Sequence, residues 1–254
     1  MLNLQKASFG KRIIAAIFDF IFLVIIAVGL LASFTSVFKT DSYLNTATQA
    51  VEKYKTEYNI TLTAEEINAL SEEEFNEYAN RVNQAEIAFA NDKTATYAYS
   101  MFLRLILIGS TVCVLISTLV IEFITPLFLG NGQTLGKKIF GIALMHKDHI
   151  RVSNIQLFVR AVLGKFTVEI MIPLYIIAMA LMGRIGISGP IILLILLVIQ
   201  LICMAKTRTR SLLHDVMSNV IAVDMASQKI FDSREELLEY TKKVHAEKAN
   251  AKVF

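Results

Sequence analysis

The apolar run from Ile13 to Phe38, entered through Lys11-Arg12 and broken only by Asp19, constrains this chain more than any other feature. A transmembrane helix needs about 20 mostly apolar residues, and this run exceeds that. A carboxylate at such depth costs roughly 2.5–3.5 kcal/mol on insertion scales, so Asp19 is a functional candidate by default. The run is too long for a signal-peptide core and Asp19 interrupts it, so it reads as an uncleaved helix. With 55% hydrophobic residues and a positive mean hydropathy, the chain carries more apolar surface than a soluble domain needs for its core.

Four spans can be drawn: 13–38, about 101–129, a weaker one at about 167–182, and about 187–205. The short link Gly183-Arg184-Ile185-Gly186 makes the last two a helical hairpin, and the third is short enough to lie tilted or interfacial. The fold class is therefore an all-α polytopic bundle. It divides into a first span (1–38), an extracytoplasmic acidic helical insertion (39–100), a membrane region with three further spans (101–224) and a charged tail (225–254).

Basic residues set the orientation. Lys6, Lys11, Arg12, Lys137, Lys138, Lys147, Arg151, Arg160, Lys165, Lys206, Arg208 and Arg210 fall on one set of flanks. The other side has Arg184 and the 39–100 segment, with five basic residues against 11 acidic ones. Both termini are expected in the cytoplasm. Within the insertion, Thr63-Ala-Glu-Glu66 has capping-box spacing ahead of a helical pattern running to Phe89. One or two surface helices are expected there. Ser153-Asn-Ile-Gln156 opens a second such helix, with Arg160 and Lys165 at headgroup level.

The charges inside the spans carry the functional argument. At 1.5 Å per residue, Asp19 lies about 10 Å in from Arg12, and Glu122, seven residues before Leu129, reaches a similar depth from an opposing helix. Glu169 lies a little shallower. These three form the candidate ion or proton site, with Arg12, Arg160, Lys165, Arg210, His214 and Asp215 as charge partners. Arg12 and Asp19 share a helical face but are too far apart to pair, so each needs a partner on another helix. Acid–base pairs that fasten the bundle and a protonatable or cation-binding site are the two competing readings.

Other chemistry is not supported. Gly132, Gln133, Thr134, Gly136, Lys137 and Lys138 resemble a phosphate-binding loop, but the glycine spacing is too short and no Ser or Thr follows the lysine. They read as a membrane-surface turn whose lysines meet lipid phosphates. His214-Asp215 alone does not make a catalytic pair, and no cofactor, metal-ligand spacing or nucleic-acid signal is present. Cys113 and Cys203 read as buried apolar residues. An enzyme is not expected.

Lys11-Arg-Ile-Ile-Ala-Ala-Ile-Phe-Asp19, Gly132-Gln-Thr-Leu-Gly-Lys-Lys-Ile-Phe-Gly141, Arg160 and Arg210-Ser-Leu-Leu-His-Asp215 resemble the RDD family of bacterial membrane proteins. Arg12 and Asp19 match its first-helix pair, and Asp215 its late acid. Ser218-Asn219 departs from the Gly-Thr common there. The resemblance implies a helical bundle in the bacterial plasma membrane; sodium–proton exchange is ascribed to some members, and most have no assigned activity. Expected partners are the lipid bilayer, Na+ or H+, and a second copy or another membrane protein. The leading expectation is cation or proton transport through the intramembrane carboxylates. The alternative is a non-transporting scaffold or accessory subunit that binds a partner through 39–100.

Overall fold

The computed structural model describes residues 4–207 and 209–250; Arg208, one of the basic flank residues, lies outside them. Four helices are long and apolar enough to cross a membrane: α1 (Phe9–Val37), α5 (Lys93–Leu129), α7 (Asn154–Leu181) and α8 (Ser188–Lys206). Between α1 and α5 stand α2 (Thr40–Glu57), α3 (Ala64–Asn68) and α4 (Glu72–Asn91). Short elements follow: α6 (Leu135–Ile139), β1 (Ile142–His146), α9 (Leu213–Met217), β2 (Val220–Asp224) and α10 (Arg234–Asn250).

The long helices turn apolar side chains outward. Along α1, Phe20, Ile25 and Val28 are each about 60% exposed, whereas the inward stripe is Ala15, Asp19 and Leu23. In α8 only Gly189 is buried. In water such surfaces would be untenable at this extent; against lipid they are the favoured arrangement.

The third crossing is longer than the sequence suggests. The surface helix expected at 153–165 and the short span expected at 167–182 are one continuous helix, α7, capped by the Ser153–Gln156 box. Its residues Val159–Met171 wind as π-helix, as do Val120–Ile124 in α5. A wider turn of this kind is rare and recurs at functional sites.

The chain forms two compact units. One contains residues 28–113. Its helices start on two capping boxes, Thr63 with Glu66 and Ser71 with Glu74. Asp92 starts α5 by accepting from the Thr94 and Ala95 amides at 2.9 and 3.0 Å, and the Tyr54 hydroxyl donates to it at 3.1 Å. The Ala95 amide is the main reason its carboxyl sits below the usual range. Tyr78, Ala85, Ala95 and Ala98 are buried among edge-on Tyr54–Phe89 and Phe89–Tyr99 rings. The insertion thus holds three helices, one more than the sequence pattern indicated.

The other unit contains the residues up to Ala27 and from Val114 onward. Beside its helices lies an antiparallel pair, β1 with β2, in register from Ile142 opposite Asp224 to His146 opposite Val220. The residues just before α1 add to the free edge of β2: the Ala7 amide reaches the Ala222 carbonyl at 3.4 Å, and the Asp224 amide reaches the Gln5 carbonyl at 3.0 Å. Ile142, Leu144, Val220 and Ala222 pack with Ala7, Ala15 and Leu157; Ala143, Met145, Ile221 and Val223 pack with Leu4 and Ile230. Both faces are covered, so the strands read as unbroken apolar runs without the alternation that marks a half-buried strand.

Candidate functional site

Asp19 points from α1 toward the start of α6, and it is 3% exposed. The Gly136 amide donates to its Oδ1 at 2.8 Å, the Thr134 hydroxyl donates to Oδ2 at 2.5 Å, and Lys137 Nζ lies 3.4 Å from Oδ2. Only glycine permits this approach. A Cβ on Gly136 would lie 2.3 Å from the Ala15 carbonyl oxygen and 2.9 Å from Asp19 Oδ1. Gly132, at φ +62°, has the same role in the preceding turn, where a Cβ would lie 2.7 Å from Leu144 Cβ.

Glu122 sits in the π-turn of α5, equally buried. Arg160 Nη1 donates to its Oε2 at 2.7 Å, Lys165 Nζ donates to Oε1, and Lys137 Nζ lies 3.6 Å from Oε2. Lys137 therefore bridges Asp19 and Glu122. Both lysines were expected at lipid phosphates. Lys138 is exposed, but Lys137 folds inward because two buried carboxylates would otherwise lack this counter-charge. Burial, with Arg160 and Lys165 nearby, lowers the Lys137 ammonium to about 8 despite Glu122 and Asp19.

Arg160 is buried at 3% exposure, and its Nε donates to Asp215 Oδ1 at 2.8 Å. Arg12 Nη2 reaches Asp215 Oδ2 at 3.3 Å, and its Nη1 donates to the carbonyls of Thr209 and Arg210 at 3.2 and 2.9 Å. Arg210 thus serves the cluster through its carbonyl. Burial alone would raise the Asp215 carboxyl, but His214 and Arg160 outweigh it and hold it well below the usual range.

Glu169 meets neither Asp19 nor Glu122. Its Oε1 lies 2.7 Å from His214 Nδ1 and accepts from Gln200 Nε2 at 2.7 Å, and His214 Nε2 lies 3.2 Å from Asp215 Oδ1. Glu169 enters the network through His214, Asp215 and Arg160. Gly164 lets α9 settle against α7, since a Cβ there would lie 2.5 Å from His214 Cβ. Sequence reasoning missed Gln200 and the inward turn of Lys137. The signal for Gln200 was available: it is the one uncharged amide inside the fourth apolar run.

Four carboxylates (Asp19, Glu122, Glu169, Asp215) face four basic side chains (Arg12, Lys137, Arg160, Lys165), with His214 between two of the acids. A cavity of about 120 Å³ touches Arg12, Lys137, Arg160, Lys165, His214 and Asp215. It reaches the partners of Asp19 and Glu122, while those two acids lie behind them.

Fold and site together define a polytopic helical membrane protein with a buried, charge-balanced centre. The RDD family model matches residues 6–219, and the chain belongs to that family. No curated protein and no solved structure matches it.

Proposed function

We propose that this RDD-family membrane protein exchanges a cation for protons, with the Glu169–His214–Asp215 chain as its proton path. The observation that carries the reading is an imidazole held between two carboxylates at the edge of the cavity. An imidazole in that position accepts a proton on one ring nitrogen and releases one from the other. Because the four carboxylates already match the four basic side chains, a proton taken up on His214 is the one excess charge, and an entering monovalent cation is accommodated as that proton leaves. Electroneutrality makes exchange the form that transport takes, since net charge at such depth is expensive. In this reading Asp19 and Glu122 hold Lys137 and the frame around it, and Arg12 and Arg160 set the charge environment of Asp215.

The test is the purified chain in proteoliposomes with a trapped pH dye, driven by Na+, Li+ or K+ gradients. Cation-driven proton movement is expected from the wild type and its loss from Glu169→Gln and His214→Phe. A wild-type protein that moves no protons under any of these gradients overturns the proposal.

The balanced charges favour a second reading, a non-transporting scaffold clamped by buried ion pairs. Its partner would meet the 39–100 insertion, where Phe75, Ile87 and Tyr97 are exposed. Proteins that co-purify with the full chain should then be lost on deletion of residues 41–95. Both termini lie in the cytoplasm in either reading, which reporter fusions at each end would check.

A further inference from the structure

Beside the buried cluster, a separate pocket of about 260 Å³ is lined by Lys6, Ala7, Ser8, Phe9, Arg12, Thr209 and Arg210. Three of its lining residues are basic and two bear hydroxyls, none is acidic, and the Arg12 guanidinium is already held by Asp215 and the Thr209 and Arg210 carbonyls. Two segments distant in sequence build it. The residues before α1 are pinned to the edge of β2 by the Ala7 and Gln5 backbone bonds. Thr207 and residues 209–211 are tied to one another: the Ser211 amide donates to Thr207 Oγ1 at 2.7 Å, the Arg210 amide donates to the Thr207 carbonyl at 2.9 Å, and the Thr209 and Ser211 hydroxyls bond at 2.7 Å.

Arg12 ties the two segments together through the Thr209 and Arg210 carbonyls. Arg210 takes a left-handed backbone (φ +51°), an unfavourable state for an arginine, and the residue lines this pocket and the deeper cavity alike. From the pocket rim, Phe9, Ile13 and Ile17 run up one face of α1 at four-residue spacing and are 46%, 44% and 51% exposed. A cationic, hydroxyl-bearing cup thus opens at the foot of an apolar stripe on a membrane-crossing helix.

We propose that this pocket binds the headgroup of an anionic glycerophospholipid, the phosphate taken by Lys6, Arg210, Ser8 and Thr209 and the acyl chains lying along Phe9, Ile13 and Ile17. Charge complementarity selects the headgroup, and the adjoining stripe selects a lipid over a free phosphate. The proposal does not rest on the transport reading, though the pocket shares Phe9, Arg12 and Arg210 with the deeper cavity.

The test is native mass spectrometry of the detergent-purified full chain, titrated with phosphatidylglycerol, with phosphatidylcholine, and with inorganic phosphate. The variant is Lys6→Gln/Arg210→Asn, in which asparagine tolerates the left-handed backbone and the Arg210 carbonyl is retained. The control is Lys138→Gln, an exposed lysine outside the pocket. Phosphatidylglycerol should bind the wild type in preference to phosphatidylcholine, and roughly 30-fold more weakly to the double variant. The control should bind like the wild type.

Equal binding of the two lipids, or a double variant that binds phosphatidylglycerol as the wild type does, overturns the proposal. So does inorganic phosphate binding as tightly as the lipid, because the acyl contacts would then contribute nothing. A double variant that elutes as aggregate is replaced by Lys6→Gln alone, for which roughly a five-fold loss is expected and no loss overturns the site.

Discussion

Gly136→Ala isolates the close approach on which the cluster depends. The added methyl would start 2.3 Å from the Ala15 carbonyl oxygen, a backbone atom within α1 that cannot rotate away as a side chain would. Helix α6 must therefore lift off α1. Overpacking of this kind costs about 1–3 kcal/mol. The lift also lengthens the 2.8 Å bond from the Gly136 amide to Asp19 and the Thr134 hydroxyl bond beside it. A hydrogen bond to a charged group contributes about 1.5–3 kcal/mol. The combined loss is about 3 kcal/mol or more, a fall in melting temperature of about 6–12 °C for a chain of this size. Heating detergent-solubilised protein and following the folded peak by size-exclusion chromatography measures it. Gly10→Ala is the matched control: nothing lies within 4 Å of its Cβ position, so the change should be neutral or slightly stabilising. If Gly136→Ala melts with Gly10→Ala, within a degree or two of wild type, the α1–α6 contact described here is wrong.

Two further outcomes bear on the charges. Arg160→Met removes one partner from Asp215, which keeps Arg12 and His214, and one from Glu122, which keeps Lys137 and Lys165, an expected loss of about 3 kcal/mol; in a double-mutant cycle with Glu122→Gln the two changes should couple by more than about 1 kcal/mol, and strict additivity would refute the pairing. Asp215 is depressed in the folded state, so its contribution is complete above the unfolded carboxyl value of about 3.9 and fades as pH falls through the lower folded value. The melting gap between wild type and Asp215→Asn should accordingly be equal at pH 7 and pH 5 and narrow only below about 4; a gap that closes between 7 and 5 would show that Asp215 is not held by His214 and Arg160.

The crossings were legible because lipid imposes one simple demand, a long apolar helix; α1 and α8 meet it within a few residues of their sequence limits, while α5 begins about two turns earlier, at Lys93. The third was legible only in part. Arg160, Lys165 and Glu169 break the apolar pattern of α7, and hydropathy cannot distinguish a charge that ends a helix from one answered inside the bundle. The insertion's second capping box, Ser71 with Glu74, was readable by the same rule that found Thr63 with Glu66. Strands β1 and β2 were hidden for a physical reason. Each is covered on both faces, so neither shows the two-residue alternation that betrays a half-buried strand.

Helical arithmetic could place Asp19 and Glu122 at one depth, but it could not say which cation answers them. The answer comes from outside the spans. Lys137 follows a left-handed turn at Gly132, and a glycine at 136 is what lets the turn press on α1 closely enough for the ammonium to reach both acids. The same logic holds at the other end of the network, where Gly164 admits His214 to the flank of α7 and so to Glu169. In both places a missing side chain lets two elements close far enough for a polar group to reach its carboxylate partner. That is why the composition of the Gly132–Lys138 segment suggested phosphate chemistry while its geometry serves carboxylates. Its glycines do what they do in phosphate loops, bringing backbone N–H groups up to an anion, and here the anion is a side chain of the first membrane helix.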